Sequence, residues 1–221
     1  MFYIINYSII IPVFNEIDKI PKLLQELKQF YIQGSEIIII DDGSDDGSQK
    51  LLLNCSFIKF IKNKSNEGKG ISVRKGLAEA SKEAIVIFDG DLELDPVDIK
   101  KLMILNTFDG PECVFASRYK DSVPLSNSWD FGNFIFTKIF NFRNNSNLKD
   151  SLCCGKSFYK KRLDIESLQS KKFDIDVEIA SKLLLNVNNF TEVNLSYSRR
   201  GNRDGKKLKF RDALYILRRI I

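Results

Sequence analysis

Ala84-Ile85-Val86-Ile87-Phe88-Asp89-Gly90-Asp91-Leu92-Glu93 sets five apolar residues directly before three carboxylates. The run has the length of a strand, and its lack of alternation fits burial on both faces, as in a parallel sheet covered by helices. Two upstream runs share this character: Tyr7-Ser8-Ile9-Ile10-Ile11 and Glu36-Ile37-Ile38-Ile39-Ile40. Between them Ile20, Leu23, Leu24 and Leu27 recur at helical spacing, with Pro21 in the first turn. The alternation of buried strand and amphipathic helix predicts an α/β fold with a mostly parallel central sheet.

Further elements follow along the chain. A helix starts near 44–48 and runs through 51–53, strands cover 57–61 and 113–116, and a helix spans about 71–81. Asp95 and Pro96 supply a cap and a first helical residue. Later elements are less regular: helices near 131–142 and 176–185, an apolar segment at 157–159 and a strand near 193–197. With 221 residues, 43% of them apolar, the chain suits one domain.

Composition removes several chemistries. The chain has no histidine, which excludes Ser-His-Asp and Cys-His catalysis and histidine-ligated metal. Its four cysteines form no CxxC pair, so they read as reduced thiols of a cytoplasmic protein. The start lacks a signal-peptide pattern, and no apolar run has the length to span a bilayer. Nine basic residues between Arg199 and Arg219, against Asp204 and Asp212, imply an anionic partner: phosphate, nucleic acid or membrane surface. Nucleic acid is disfavoured by the acidic strand ends and by the lack of aromatics interleaved with the basic residues.

Ligands of open parallel sheets bind beyond the carboxyl ends of the strands. Here those ends carry Asn15-Glu16, Asp41-Asp42-Gly43-Ser44 and Asp89-Gly90-Asp91. Asp41-Asp42-Gly43-Ser44 taken alone reads more readily as a turn with a helix cap. Asp89 and Asp91 are different: they can face one hard cation across Gly90, which permits close approach by a ligand. Mg²⁺ or Mn²⁺ shared with phosphate oxygens matches that supply.

Four ordered segments, 8–16, 38–48, 66–70 and 89–96, resemble the motifs of family 2 glycosyltransferases. Within that family the dolichyl- and polyprenyl-phosphate sugar synthases are the most similar branch, through 117–119, 150–156, 173–178 and 197–208. The resemblance implies a GT-A (Rossmann-like) fold over 1–204, followed by a basic amphipathic helix over 205–221. It implies inverting transfer of a hexose (mannose, glucose or N-acetylhexosamine) from a nucleotide-diphosphate sugar to a polyprenyl or dolichyl phosphate. The alternative within the family is a polysaccharide, glycolipid or protein hydroxyl.

Carried over by position, Pro12, Phe14 and Glu16 would line the nucleoside pocket, with Asp41 and Asp42 reading base or ribose. Asp89 would sit near donor sugar and metal, with Gly90 between; Asp91 and Glu93 would complete the metal ligands. Lys69 and Arg74 would approach the donor or lie on a helix surface. Arg118, Arg200 and Lys207 would bind phosphates. Three positions depart from the branch pattern: Gly90 stands where alanine is usual, Gly155 where an aromatic is frequent, and Asn194 where proline is frequent.

A lipid phosphate is ionised near neutral pH and attacks without a base, which suits a chain without histidine. For a hydroxyl acceptor, Asp176 or Glu178 would be the base, the alternative being charge complementarity at a helix N-terminus. Phe210, Ala213, Leu214, Leu217 and Ile221 fall on one helical face with basic residues around it. That helix either lies on an anionic membrane or packs on the domain. The first option makes the protein peripheral at the cytoplasmic face of a membrane, held by its surface or by an anchoring partner.

Overall fold

The computed structural model describes residues 5–106, 109–120, 128–200 and 210–220. Strands β1 (Tyr7–Val13), β2 (Glu36–Asp41), β3 (Lys59–Lys62), β4 (Ala84–Ile87), β5 (Cys113–Ser117), β6 (Lys156–Tyr159) and β7 (Phe190–Asn194) form one sheet. Its order is β3-β2-β1-β4-β6-β5-β7. All neighbours pair in parallel except β6, which runs antiparallel to β4 and β5.

Two helical layers cover the sheet. One face packs on α1 (Ile20–Ile32), α2 (Ser48–Leu53) and α4 (Ile99–Leu102). The other packs on α3 (Lys69–Glu79), α5 (Ser128–Asn144), α6 (Ile175–Asn186) and α7 (Phe210–Ile220). Alternate residues of β1 explain the division: Ile9 and Ile11 enter the first core, Ile10 the second. Both faces of β1 are therefore dry, as an unbroken apolar run requires.

Some boundaries differ from the sequence expectation. β3 starts two residues later, and β7 occupies 190–194 in place of 193–197. As an edge strand β7 is half-buried over 190–193 and exposed at Asn194, so no apolar run marks it. Asp95 does cap its turn, accepting from the Val97 amide at 3.1 Å, but the first turn is 3-10 (Pro96–Asp98) and leads into the short α4.

The basic C-terminal helix exists as α7, and one side of it packs on the domain. Ile216 and Ile220 are buried in the core beside α5 and α6. Arg219 reaches Asp174 at 3.6 Å and Glu178 at 3.4 Å. The buried seam is thus turned from the expected centre toward Ile216 and Ile220. Lys207 and Ile221 lie outside the described residues, as do the side chains of Phe210, Arg211 and Leu214.

Candidate active site

The loops after β1 and β2 are laced into one rim. Asn15, at φ 50°, donates its amide to Ser44 Oγ at 2.8 Å and accepts from the Asp45 amide at 3.0 Å. The Ile17 amide reaches Asp46 at 2.8 Å. Asp41 is fully buried and accepts from the Ser44 amide and the Gln49 side chain, both at 3.0 Å. Asp42 accepts from Asn63 at 2.8 Å and from the Glu67 and Gly68 amides at 2.9 Å. Both carboxylates thus shape loops. Gly68 has φ +103°, a conformation that favours glycine, and turns the chain into α3.

That turn aims Lys69 into the sheet's carboxyl edge. Its ammonium lies 2.8 Å from Asp89 Oδ2 and 2.7 Å from Asp176 Oδ2, with the Phe173 ring at 5.9 Å. Burial alone would lower the Lys69 pKa, but Asp176 and Asp89 outweigh it and hold it well above its ordinary value. Lys69 therefore remains charged. Asp89 Oδ1 is buried and has no hydrogen-bond partner.

A second ion cluster follows. The Arg200 guanidinium lies 2.8 Å from Glu16 Oε1, 2.8 Å from the Asp91 carbonyl and 3.2 Å from Asp91 Oδ2. Its backbone amide donates to Glu93 Oε1 at 3.3 Å. Burial, and then the neighbouring Asp91, push the Glu93 carboxyl above its ordinary pKa. The segment after β7 reaches this place by running beside 93–95: Leu94 bridges Tyr197, and the Ser198 amide donates to the Glu93 carbonyl at 2.8 Å.

Arg118, just past β5, lies as a fork on Asp150, with Nε 2.7 Å from Oδ2 and the second nitrogen 2.8 Å from Oδ1. Its guanidinium also stacks near Tyr119 and Tyr197, 5.4 and 5.7 Å from the ring centres. These groups share a cleft of about 450 Å³. Lys69, Asp89, Asp91, Glu93, Arg118, Asp176 and Arg200 supply its charged lining. Phe136, Leu152, Phe173 and Ile216 supply apolar lining, with the Phe173 ring beside Lys69.

Convergence of Lys69, Asp89, Asp91, Glu93, Arg118, Asp176 and Arg200 follows the sequence expectation. Other assignments change. No group of three Cys, Asp or Glu among the described residues is gathered to hold a metal alone. The expected trio is divided because Asp89 faces Lys69, Asp91 is shared with Arg200, and Glu93 binds the Arg200 amide. Gly90 packs downward: a Cβ there would strike Val13 and Ile11, so core packing requires the glycine. Arg74 is half-buried on α3 and does not line the cleft.

Glu178 is also absent from the cleft. Its oxygens accept from the Gln169 amide at 3.0 Å and the Ser170 amide at 2.8 Å, because two residues of helix turn it away from Asp176. Sequence reasoning missed Asp150 as the partner of Arg118, and the aromatic walls Phe136, Phe173 and Tyr197. An arginine after a buried strand calls for a carboxylate, which was the available signal for Asp150.

Comparison with known proteins gives these features a lineage. The sequence profile of glycosyl transferase family 2 matches residues 8–166. An uncharacterised glycosyltransferase of Bacillus subtilis, YkcC, is 37% identical over 123 residues, covering 52% of this chain and 38% of that protein. An undecaprenyl-phosphate 4-deoxy-4-formamido-L-arabinose transferase of Pseudomonas fluorescens is 32% identical over 105 residues, covering 43% and 31%. The alignments thus span less than half the length of both relatives. Glucosyl-3-phosphoglycerate synthase from Mycobacterium tuberculosis, solved with Mn²⁺, UDP and glucosyl-3-phosphoglycerate, superposes with a TM-score of 0.69. At 16% identity, covering 90% of this chain and 74% of that one, it shows the shared GT-A fold. Fold, strand-end motifs and profile agree that the chain belongs to glycosyl transferase family 2.

Proposed function

We propose that the protein transfers a hexose from a nucleotide-diphosphate sugar to a polyprenyl phosphate. The observation that carries this reading is the mixed lining of the cleft, in which cations and carboxylates share the walls with Phe136, Leu152, Phe173 and Ile216. A charged headgroup on an apolar chain fits that lining; a hydrophilic polysaccharide has no use for the apolar side chains.

The buried, unpartnered Asp89 Oδ1 and the part-exposed Asp91 offer one or two carboxylate oxygens at the cleft. A hard cation that draws its other ligands from a diphosphate fits this set, and Asp91 with Asp89 would hold Mg²⁺ or Mn²⁺ there. Bound, the ion supplies neutralisation of charge on the departing diphosphate. The laced rim beyond β1 and β2, which carries Phe14 and Glu16 and is shaped by the buried Asp41 and Asp42, is the nucleoside end. Lys69 stays an ammonium and offers a fixed positive charge beside the donor. Arg118, held rigid by Asp150, and Arg200 bind the two phosphate-bearing partners at opposite sides of the anomeric carbon. Alignment for in-line displacement and prearranged positive charge supply the rate, and inversion follows.

Asp176 keeps the hydroxyl-acceptor alternative in view, because it faces the cleft. Its Oδ2 is occupied by Lys69, so we assign it the role of counter-charge. Incubation with labelled nucleotide sugars and polyprenyl phosphate tests the choice. Label in an organic-extractable, mild-acid-labile product is expected; label only in polymer or protein defeats it.

A further inference from the structure

α5 has an apolar face that the domain does not use. Thr137 and Phe140 are buried, and Gly132, Asn133 and Phe136 wall the cleft. On the opposite side Phe131, Ile135, Lys138 and Phe142 recur at i, i+4, i+7 and i+11, a single stripe along the helix. Phe142 is 90% exposed and Phe131 55%. Aromatics in a row facing water add nothing to a lone domain's stability and mark a contact surface.

Charge narrows the partner. Lys138 stands within the stripe, its ammonium 5.4 Å from the Phe134 ring, and exposed Arg143 follows Phe142 at the end of the helix. On α7 Tyr215 is exposed with the Lys172 ammonium 5.1 Å from its ring, and Arg218 is exposed as well. Every acid of α5 and α6, namely Asp130, Asp176 and Glu178, is buried. A second copy of the chain placed on this stripe by a twofold axis would set Lys138 near its own image with no exposed acid on these helices to neutralise it. Anionic headgroups over an acyl layer meet both the aromatic and the basic features.

We propose that the outer face of α5 seats the protein on an anionic lipid bilayer, with Phe131, Ile135 and Phe142 at the acyl boundary and Lys138 among the headgroups. The proposal rests on the polyprenyl-phosphate reading, since a lipid acceptor gives a reason for the same helix to border both bilayer and cleft. It places the membrane contact on α5, the neighbour of α7, whose Ile216 and Ile220 are held in the core.

Flotation of the protein with vesicles tests this. The wild type is expected to float with mixed phosphatidylcholine and phosphatidylglycerol vesicles, and several-fold less with phosphatidylcholine alone. The double variant Phe131→Ser/Phe142→Ser should partition at least about tenfold less, while keeping the nucleotide-dependent thermal shift that reports folding. Equal flotation of variant and wild type overturns the proposal. So does a wild type that never floats but forms a dimer broken by the two substitutions. A protein that floats through α5 yet makes no lipid-linked sugar refutes the acceptor and leaves the surface standing. One that glycosylates polyprenyl phosphate in detergent but never floats refutes the surface alone.

Discussion

Arg118 and Asp150 meet through two parallel hydrogen bonds of 2.7 and 2.8 Å, and the Asp150 side chain is completely buried. The pair fixes a planar cation at the cleft wall. Burial opposes the Arg118 charge, but Asp150 reverses that and raises its pKa well above the ordinary value. Removing the carboxylate leaves a largely buried charge alone, which costs about 3–5 kcal/mol. Asp150→Ala should lower stability on that scale in urea denaturation. Arg118→Lys should keep the fold and lose about 10²-fold in kcat, the scale for one prearranged oxyanion donor.

Asp91 is the carboxylate left facing the cleft, with 32% of its side chain exposed. A thermal-shift series with uridine and guanosine diphosphates, with and without Mn²⁺, should show stabilisation only when metal and nucleotide are both present. Asp91→Ala should abolish the metal-dependent part. A full shift in that variant would remove Asp91 from the metal site.

Asp176 as counter-charge and Asp176 as base predict different kinetics. Loss of a base costs about 10²–10⁴-fold. Asp176→Asn keeps a hydrogen-bond acceptor for Lys69 and should cost only about tenfold in kcat, well short of a general base. A loss of 10³-fold or more, accompanied by transfer to a hydroxyl acceptor, would restore the base role.

Gly90 carries a packing prediction that separates it from a ligand-access role. Its missing Cβ is what lets β1 lie close beneath the Asp89–Asp91 turn. Gly90→Ala should destabilise by about 1–3 kcal/mol through overpacking. Val13→Ala in the same chain should recover part of that loss, so the two changes will not add. Denaturation midpoints of the two single variants and the double variant give the coupling.

Tyr7 ties the base of the sheet to pH. Burial, only partly offset by the Leu105 amide that donates to its oxygen, pushes its pKa up to about 12. The unfolded chain ionises first, near its ordinary value of about 10. The stabilisation is therefore complete below about pH 10 and disappears as pH rises through about 12, for up to about 2–3 kcal/mol. Tyr7→Phe should flatten this alkaline limb in a denaturation series.

Much of this arrangement could be read before any coordinates. Unbroken runs such as Ile37–Ile40 and Ala84–Phe88 have few homes other than a doubly covered strand. Ligand-bearing residues then follow at strand ends. Where the chain is half-buried or very short, the pattern thins. β7 is nowhere fully buried, and β6 has four residues, one of them Lys156. Direction is lost too, since no local preference distinguishes an antiparallel insert from one more parallel strand. Side-chain allegiance is the remaining gap. Asp41, Asp42 and Glu178 look like ligands in sequence, yet each is occupied by backbone amides, from the same turn for Asp41 and from other loops for Asp42 and Glu178.

The reversed strand β6 has a consequence for how the chain assembles. β1 to β4 pair with one another using residues 7–87 alone, so that half can form early. Its β4 flank then stays open until 156–159 arrive, across about 70 residues of intervening sequence. β5 and β7 dock only through β6, which makes that short strand the late keystone of a high-contact-order topology. During synthesis the bare β4 edge is the place where a nascent chain is most exposed to wrong partners.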